Sequence, residues 1–139
     1  MKERRRQEAF TLVELLLVVT IIGILAGAVL VNFSGQADRA KEARARQDIA
    51  ALSTALSMYE LQIGSYPTTD QGLRALVENP GVDGWTKPFL KKRIIKDPWG
   101  NEYRYRYPGT KGGDYDLYSV GKDGQEGTED DIGNWDEEE

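Results

Sequence analysis

The sequence predicts an α+β fold in which one long N-terminal helix packs on a small antiparallel sheet. Three observations predict it. An apolar run over residues 12–31 continues into an amphipathic helical pattern. Two short segments near the other end alternate as strands do. A glycine-rich stretch joins them.

The helix comes first. Residues 12–31 contain only two polar side chains, Glu14 and Thr20. At about 1.5 Å per residue, such a helix matches a hydrocarbon core roughly 30 Å thick. Lys2, Arg4, Arg5 and Arg6 precede it, so the positive-inside rule keeps the N-terminus cytoplasmic and turns the rest outward. A plain membrane anchor meets these facts. So does a signal peptide cut after Ala26-Gly27-Ala28. Glu14 argues against both, because a carboxylate inside an apolar span costs about 2–3 kcal/mol and marks a functional site with a partner. Helix formers also continue past the span. Ala45, Ile49, Leu52, Leu56, Tyr59 and Ile63 recur in steps of four and three, one stripe of an amphipathic helix. Residues 10–63 therefore read as one nearly continuous helix, with Gly64 as its C-cap and Pro67 as the stop signal.

A short helix follows from Gln71 to Glu78, capped by Thr69 or Asp70. Residues 81–101 hold five Gly or Pro and read as a long loop pinned by Trp85, Phe89, Ile94, Ile95 and Trp99. Glu102 to Tyr107 alternates strictly and predicts a strand with one aromatic face. Tyr115 to Val120 predicts its hairpin partner.

Composition removes several functions. Of 139 residues none is Cys or His. This excludes disulfides, thiolate or imidazole metal sites, Cys nucleophiles and a Ser-His-Asp triad. The net charge is −5, and residues 111–139 hold two lysines against eleven acids. Such an end repels nucleic acid and attracts cations. The tyrosines are accordingly read as core packing rather than as a base-stacking platform. Paired carboxylates at Asp130 and Asp131 favour a shared cation over acid-base hydrolysis, so no enzyme is expected. Carboxylates at Asp123, Asp130 and Asp131 flank a glycine-containing turn, which suits Ca²⁺ by donor type and suits a solvated acidic turn equally well.

The string Ala9-Phe10-Thr11-Leu12-Val13-Glu14-Leu15 before an apolar helix resembles the N-terminal signature of type IV pilins and pseudopilins. Further segments are similar to the major pseudopilins of the type II secretion system: Tyr66 to Leu73, Asp97-Pro98-Trp99-Gly100-Asn101, Tyr115-Asp116-Leu117, and Asp123-Gly124 with Gly127 to Ile132 and Asn134-Trp135. The resemblance covers nearly the whole chain. A type IV pilin or another calcium-binding adhesin is the alternative, but pilins carry a Cys-bounded C-terminal loop and this chain has an acidic end there.

The resemblance implies a pilin-like organisation. Residues 1–9 would be a cytoplasmic leader, 10–33 a membrane-spanning polymerisation helix, 34–63 its amphipathic half, and 64–139 a periplasmic part with an acidic calcium loop. A prepilin peptidase would cut between Ala9 and Phe10 and methylate the new N-terminus. Glu14 would neutralise the Phe10 amine of a neighbouring subunit. Calcium would be held by Asp123, Asp130 and Asp131 with backbone oxygens near Val120 and Gln125. Implied partners are further copies in a filament, minor pseudopilins, the inner-membrane secretion platform and, before assembly, membrane lipid. Ala9 stands where the family has Gly, and Val31 where it usually has Pro.

Overall fold

The computed structural model describes residues 10–93 and 96–135, without the side chains of residues 30–34. The leader 1–9, Ile94, Ile95 and the tail Asp136 to Glu139 lie outside the described residues. Helix α1 spans Leu12–Ile63, and the chain divides within it into two units, Met1–Asp38 and Arg39–Glu139.

In the first unit α1 exposes apolar side chains on every side over Leu12–Val29. Thr11 caps it by accepting the Glu14 N–H at 3.2 Å. The Thr20 hydroxyl donates to the Leu16 carbonyl at 2.7 Å, so the polar atom in the span stays satisfied within its own helix. Leu12, Val13, Leu15 to Val19, Ile21, Ile22, Ile24, Leu25 and Val29 are all exposed. The segment Leu12–Val29 is long and apolar enough to cross a membrane. The backbone remains helical through Val31, as expected of a ladder with no proline to interrupt it.

In the second unit the same helix has one apolar stripe. Ala45, Ile49, Leu52, Leu56 and Tyr59 are buried, with Ala55 beside them and Ile63 packed at the edge. They form the core with Ala75, Leu76, Tyr103, Tyr115, Leu117 and Ile132. Burying each large side chain is worth about 1.5–3 kcal/mol. Gly64 ends the helix at φ +97°, donating its N–H to the Glu60 carbonyl at 2.7 Å.

The sheet is antiparallel and runs β1 (Arg104–Arg106), β2 (Asp116–Ser119), β3 (Ile132–Gly133) in that spatial order. Tyr105 pairs with Leu117, and Ser119 with Ile132. Strand β1 is shorter than the alternation predicts, because Glu102 bridges to Lys96 instead of joining the ladder, and Pro108 has no N–H to extend it. Strand β3 was not expected. Two residues carry no periodicity, and the Asn134 side chain supplies what the short strand lacks. Its Oδ1 accepts the Leu117 N–H at 2.9 Å and its Nδ2 donates to the Tyr115 carbonyl at 3.0 Å.

The expected helix over 71–78 is instead a 3₁₀ helix, Gly72–Leu76, and neither Thr69 nor Asp70 caps it. The Thr69 hydroxyl is committed to Tyr107, just past the end of β1, bonding both its N–H and its carbonyl. The turn is opened by Thr68 and Gln71, each accepting the other's N–H through its side chain, the reciprocal pattern of a capping box.

Hydrogen bonds between distant residues tie the sheet and loops to the rest of the unit. The Tyr103 hydroxyl donates to Asp48 Oδ2 at 3.1 Å, while Arg44 reaches Oδ1 at 3.0 Å. Burial, and after it the Asp48 carboxylate, raises the Tyr103 pKa well above its ordinary value. The Tyr105 hydroxyl donates to the Pro67 carbonyl at 2.8 Å, and Trp85 Nε1 to the Ala75 carbonyl at 2.9 Å.

The hairpin connection closes on Asp116. Its carboxylate accepts the Thr110 N–H at 2.9 Å, the Thr110 hydroxyl at 2.6 Å and the Lys111 N–H at 3.1 Å. Burial pushes the Asp116 pKa up, and these donors outweigh it, leaving the carboxyl below its ordinary value.

Two measurements check this packing in the full-length chain in detergent. Leu56→Ala, at a site with no exposure, should cost about 2–5 kcal/mol by chemical denaturation. Leu61→Ala, 89% exposed on the same helix, should stay within about 0.5 kcal/mol.

Because the folded pKa of Asp116 is lowered, its contribution is complete above the unfolded carboxylate value, about 3.9, and is lost as pH falls through the folded value. Asp116→Asn should therefore destabilise the chain at pH 6 by about 1–3 kcal/mol and reduce the loss of melting temperature seen on acidification below about pH 4. Parallel acid limbs in the two proteins would contradict the assignment.

Candidate functional site

The N-terminal candidates sit where α1 begins. Phe10 is exposed and precedes the helix, while Glu14 lies in its first turn. Thr11 and Glu14 have capping-box spacing, and a carboxylate in the first turn also favours the helix dipole. That local reading of Glu14 was missed in the sequence, although Thr-x-x-Glu before an apolar run is its signal. Ala9, the expected leaving side of the cleaved bond, lies outside the described residues.

The acidic candidates sit in the loop between β2 and β3. Buried Val120 and Gly121 begin it, and Gly121, Gly124 and Gly127 take positive φ. At Gly121 a Cβ would collide with the Asp130 backbone oxygen, so only glycine lets the two ends of the loop meet there. The Asp123 N–H donates to Asp130 Oδ2 at 3.0 Å, and Asp123 Oδ1 accepts the Gln125 N–H at 2.8 Å. Asp130 Oδ1 accepts the Thr128 hydroxyl at 2.6 Å. That hydroxyl, and after it the Asp123 N–H, holds the Asp130 carboxyl below its ordinary pKa. The Gln125 carbonyl faces the Thr128 hydroxyl at 3.3 Å. Asp131 Oδ2 accepts the Gly127 N–H at 2.7 Å.

The fold thus brings Asp123 and Asp130 together and turns the three carboxylates onto loop N–H and hydroxyl groups. Among the described residues no three acidic side chains converge as a metal-holding group. The donor chemistry nevertheless fits a hard cation. Every loop side-chain acceptor is oxygen, and among the described residues buried Asp131 Oδ1 has no hydrogen-bond partner. An unmet buried acceptor costs about 1–3 kcal/mol, and a cation would satisfy it.

Sequence reasoning missed the groups that hold the base of this loop. Asn101 Nδ2 donates to the Gly121 carbonyl at 3.0 Å, and Ser119 Oγ accepts the Gly121 N–H at 3.1 Å. The Asp-Pro-Trp-Gly-Asn string is a turn signal, but nothing local shows what the turn touches.

With the geometry in place, comparison with known proteins decides the family. The family model described as type II secretion system protein G matches residues 32–135. A second model, the prokaryotic N-terminal methylation motif, matches residues 4–30.

The chain belongs to the type II secretion system protein G family.

The type II secretion system core protein G of Pseudomonas aeruginosa is 49% identical, covering 96% of this chain and 99% of that protein. The Vibrio cholerae protein of the same name is 49% identical, covering 97% and 96%. A crystal structure of the major pseudopilin from the type 2 secretion system of enterohaemorrhagic Escherichia coli superposes with a TM-score of 0.66 at 42% identity, covering 76% of this chain and 95% of that one. The pilin-like α+β expectation is therefore met, with a methylation-motif N-terminus on an apolar helix. The family is one of structural pseudopilin subunits.

Proposed function

We propose that this chain is the major subunit of a periplasmic pseudopilus. It is stored in the bacterial inner membrane as a single-pass protein with its C-terminal part outside. It polymerises to drive export of folded proteins across the outer membrane. The observation that carries this reading is the exposed apolar half of α1 with Glu14 as its only acid. Lipid covers that surface before assembly, and further copies cover it afterwards. A prepilin peptidase cuts between Ala9 and Phe10 and methylates the new amine. The Glu14 carboxylate then pairs with the Phe10 amine of a neighbouring copy. In low dielectric a copy at the wrong height leaves both charges unpaired, so the pair selects the axial register. Minor pseudopilins and the membrane secretion platform are the other partners.

The acidic loop is proposed to hold Ca²⁺ through Asp123, Asp130 and Asp131, with backbone oxygens near Val120 and Gln125. The cation would neutralise the neighbouring Asp123 and Asp130 carboxylates and satisfy Asp131 Oδ1. Its role is structural.

Glu14→Ala should leave a subunit that inserts and is processed but accumulates as monomer in shearing and cross-linking assays. Normal filaments and normal secretion from this variant would sink the assembly reading. Intact-mass spectrometry on the native membrane protein checks processing directly, since cleavage after Ala9 with one added methyl has a unique mass.

Calcium at 100 times Kd should stabilise the full-length chain in detergent by about 2.7 kcal/mol, and chelator should reverse it. Asp130→Ala should melt low and respond little to either. Mg²⁺ should substitute poorly, because it demands octahedral geometry and dehydrates reluctantly. Melting curves indifferent to calcium in the unmutated chain would return the segment to a solvated turn.

A further inference from the structure

Gly121, where the chain leaves β2 for the acidic loop, is held from outside the loop at both of its backbone polar groups. Asn101 Nδ2 holds its carbonyl and Ser119 Oγ its N–H. Ser119 is fully buried and donates its hydroxyl to Asp97 Oδ2 at 2.5 Å. The other oxygen of buried Asp97 accepts the N–H groups of Trp99 at 3.0 Å and Asn101 at 2.8 Å. One carboxylate therefore joins the 97–101 turn to the end of β2. The turn also closes on itself through Asp97 N–H to the Asn101 carbonyl, 2.8 Å.

The same turn reaches further along the loop. A Cβ on Gly124 would lie 3.5 Å from Asn101 Oδ1, so the Asn101 amide stands against the chain on both sides of Asp123. At Gly121 the backbone already abuts Asp130. Moving the Gly121 backbone thus moves the two residues that flank the turn of acids.

We infer that the Asp97–Asn101 turn is the positioning platform of the acidic loop, with Asn101 and Ser119 setting the Gly121 backbone so that Asp123 and Asp130 are presented to a divalent cation. The inference rests on the calcium reading above. Asn101 and Ser119 are positioning residues that touch no ion themselves. Partners of this kind change metal affinity by 10–100-fold when removed, because the ligands must then be ordered at the moment of binding.

Asn101→Ala is a selective probe. It deletes the amide while sparing the turn, whose bonds at this residue are made by the Asn101 backbone. The experiment titrates calcium chloride into the full-length chain in detergent by calorimetry, and records melting curves in chelator and in saturating calcium. Asn101→Ala should bind calcium about 10–100-fold more weakly, with a melting temperature in chelator lowered by no more than the loss of one hydrogen bond explains. Ser119→Ala, which releases the Gly121 N–H, should weaken calcium in the same direction. Tyr105→Phe loses the bond to Pro67, remote from the loop, and should lower the melting temperature with calcium affinity unchanged. Undiminished affinity in both Asn101→Ala and Ser119→Ala overturns the inference while leaving calcium binding intact. Absence of binding in the unmutated chain overturns the calcium reading and the inference with it.

Discussion

The apolar stripe of α1 from Ala45 to Tyr59 must be covered, and a helix that short of polar groups on one face has no stable existence alone. The rest of residues 64–135 is arranged to cover it. Leu76 and Ala75 come from the 3₁₀ turn, Tyr103 and Leu117 from the sheet region, and Ile132 from its last strand. The sheet is too small to be self-sufficient, having two to four residues per strand. It holds because the helix supplies its core and because side chains extend its ladder.

Those side chains explain how so irregular a unit is tied together without a single cysteine, although among the described residues Ser53 Oγ, Trp99 Nε1 and Asp131 Oδ1 stay buried and unpartnered. Asp116 closes the hairpin connection, Asn134 prolongs the pairing of β2, and Asp97 joins a turn to a strand end. Each replaces a regular backbone bond by a short side-chain oxygen or amide. Asp and Asn suit this because they reach their own neighbouring N–H groups with little entropy to lose.

Legibility in the sequence followed period and length. The membrane-length run and the four-three stripe are strong signals, and every stripe position from Ala45 to Tyr59 is buried. The tyrosine alternation located β1 and β2 but overstated β1, because Glu102 answers to Lys96, a partner no local pattern reveals. Strand β3 carried no period at all. Thr69 looked like a cap, yet its hydroxyl serves Tyr107, 38 positions away. In the loop, residue types announced the acids, whereas the grip of Asn101 on Gly121 spans 20 positions and is a fact of tertiary structure only.

The separation between bonded partners also bears on how the unit is built in time. Most loop bonds join residues two to six apart, as at Asn79 to Gly81, Asp97 to Asn101 and Thr110 to Asp116. Closing such short spans costs little chain entropy and is rapid. The ties Asp48 to Tyr103, Pro67 to Tyr105 and Gln62 to Gly84 span 55, 38 and 22 positions. The short-range turns therefore close the smallest loops, and the ties to the helix carry most of the loop-closure entropy of the unit.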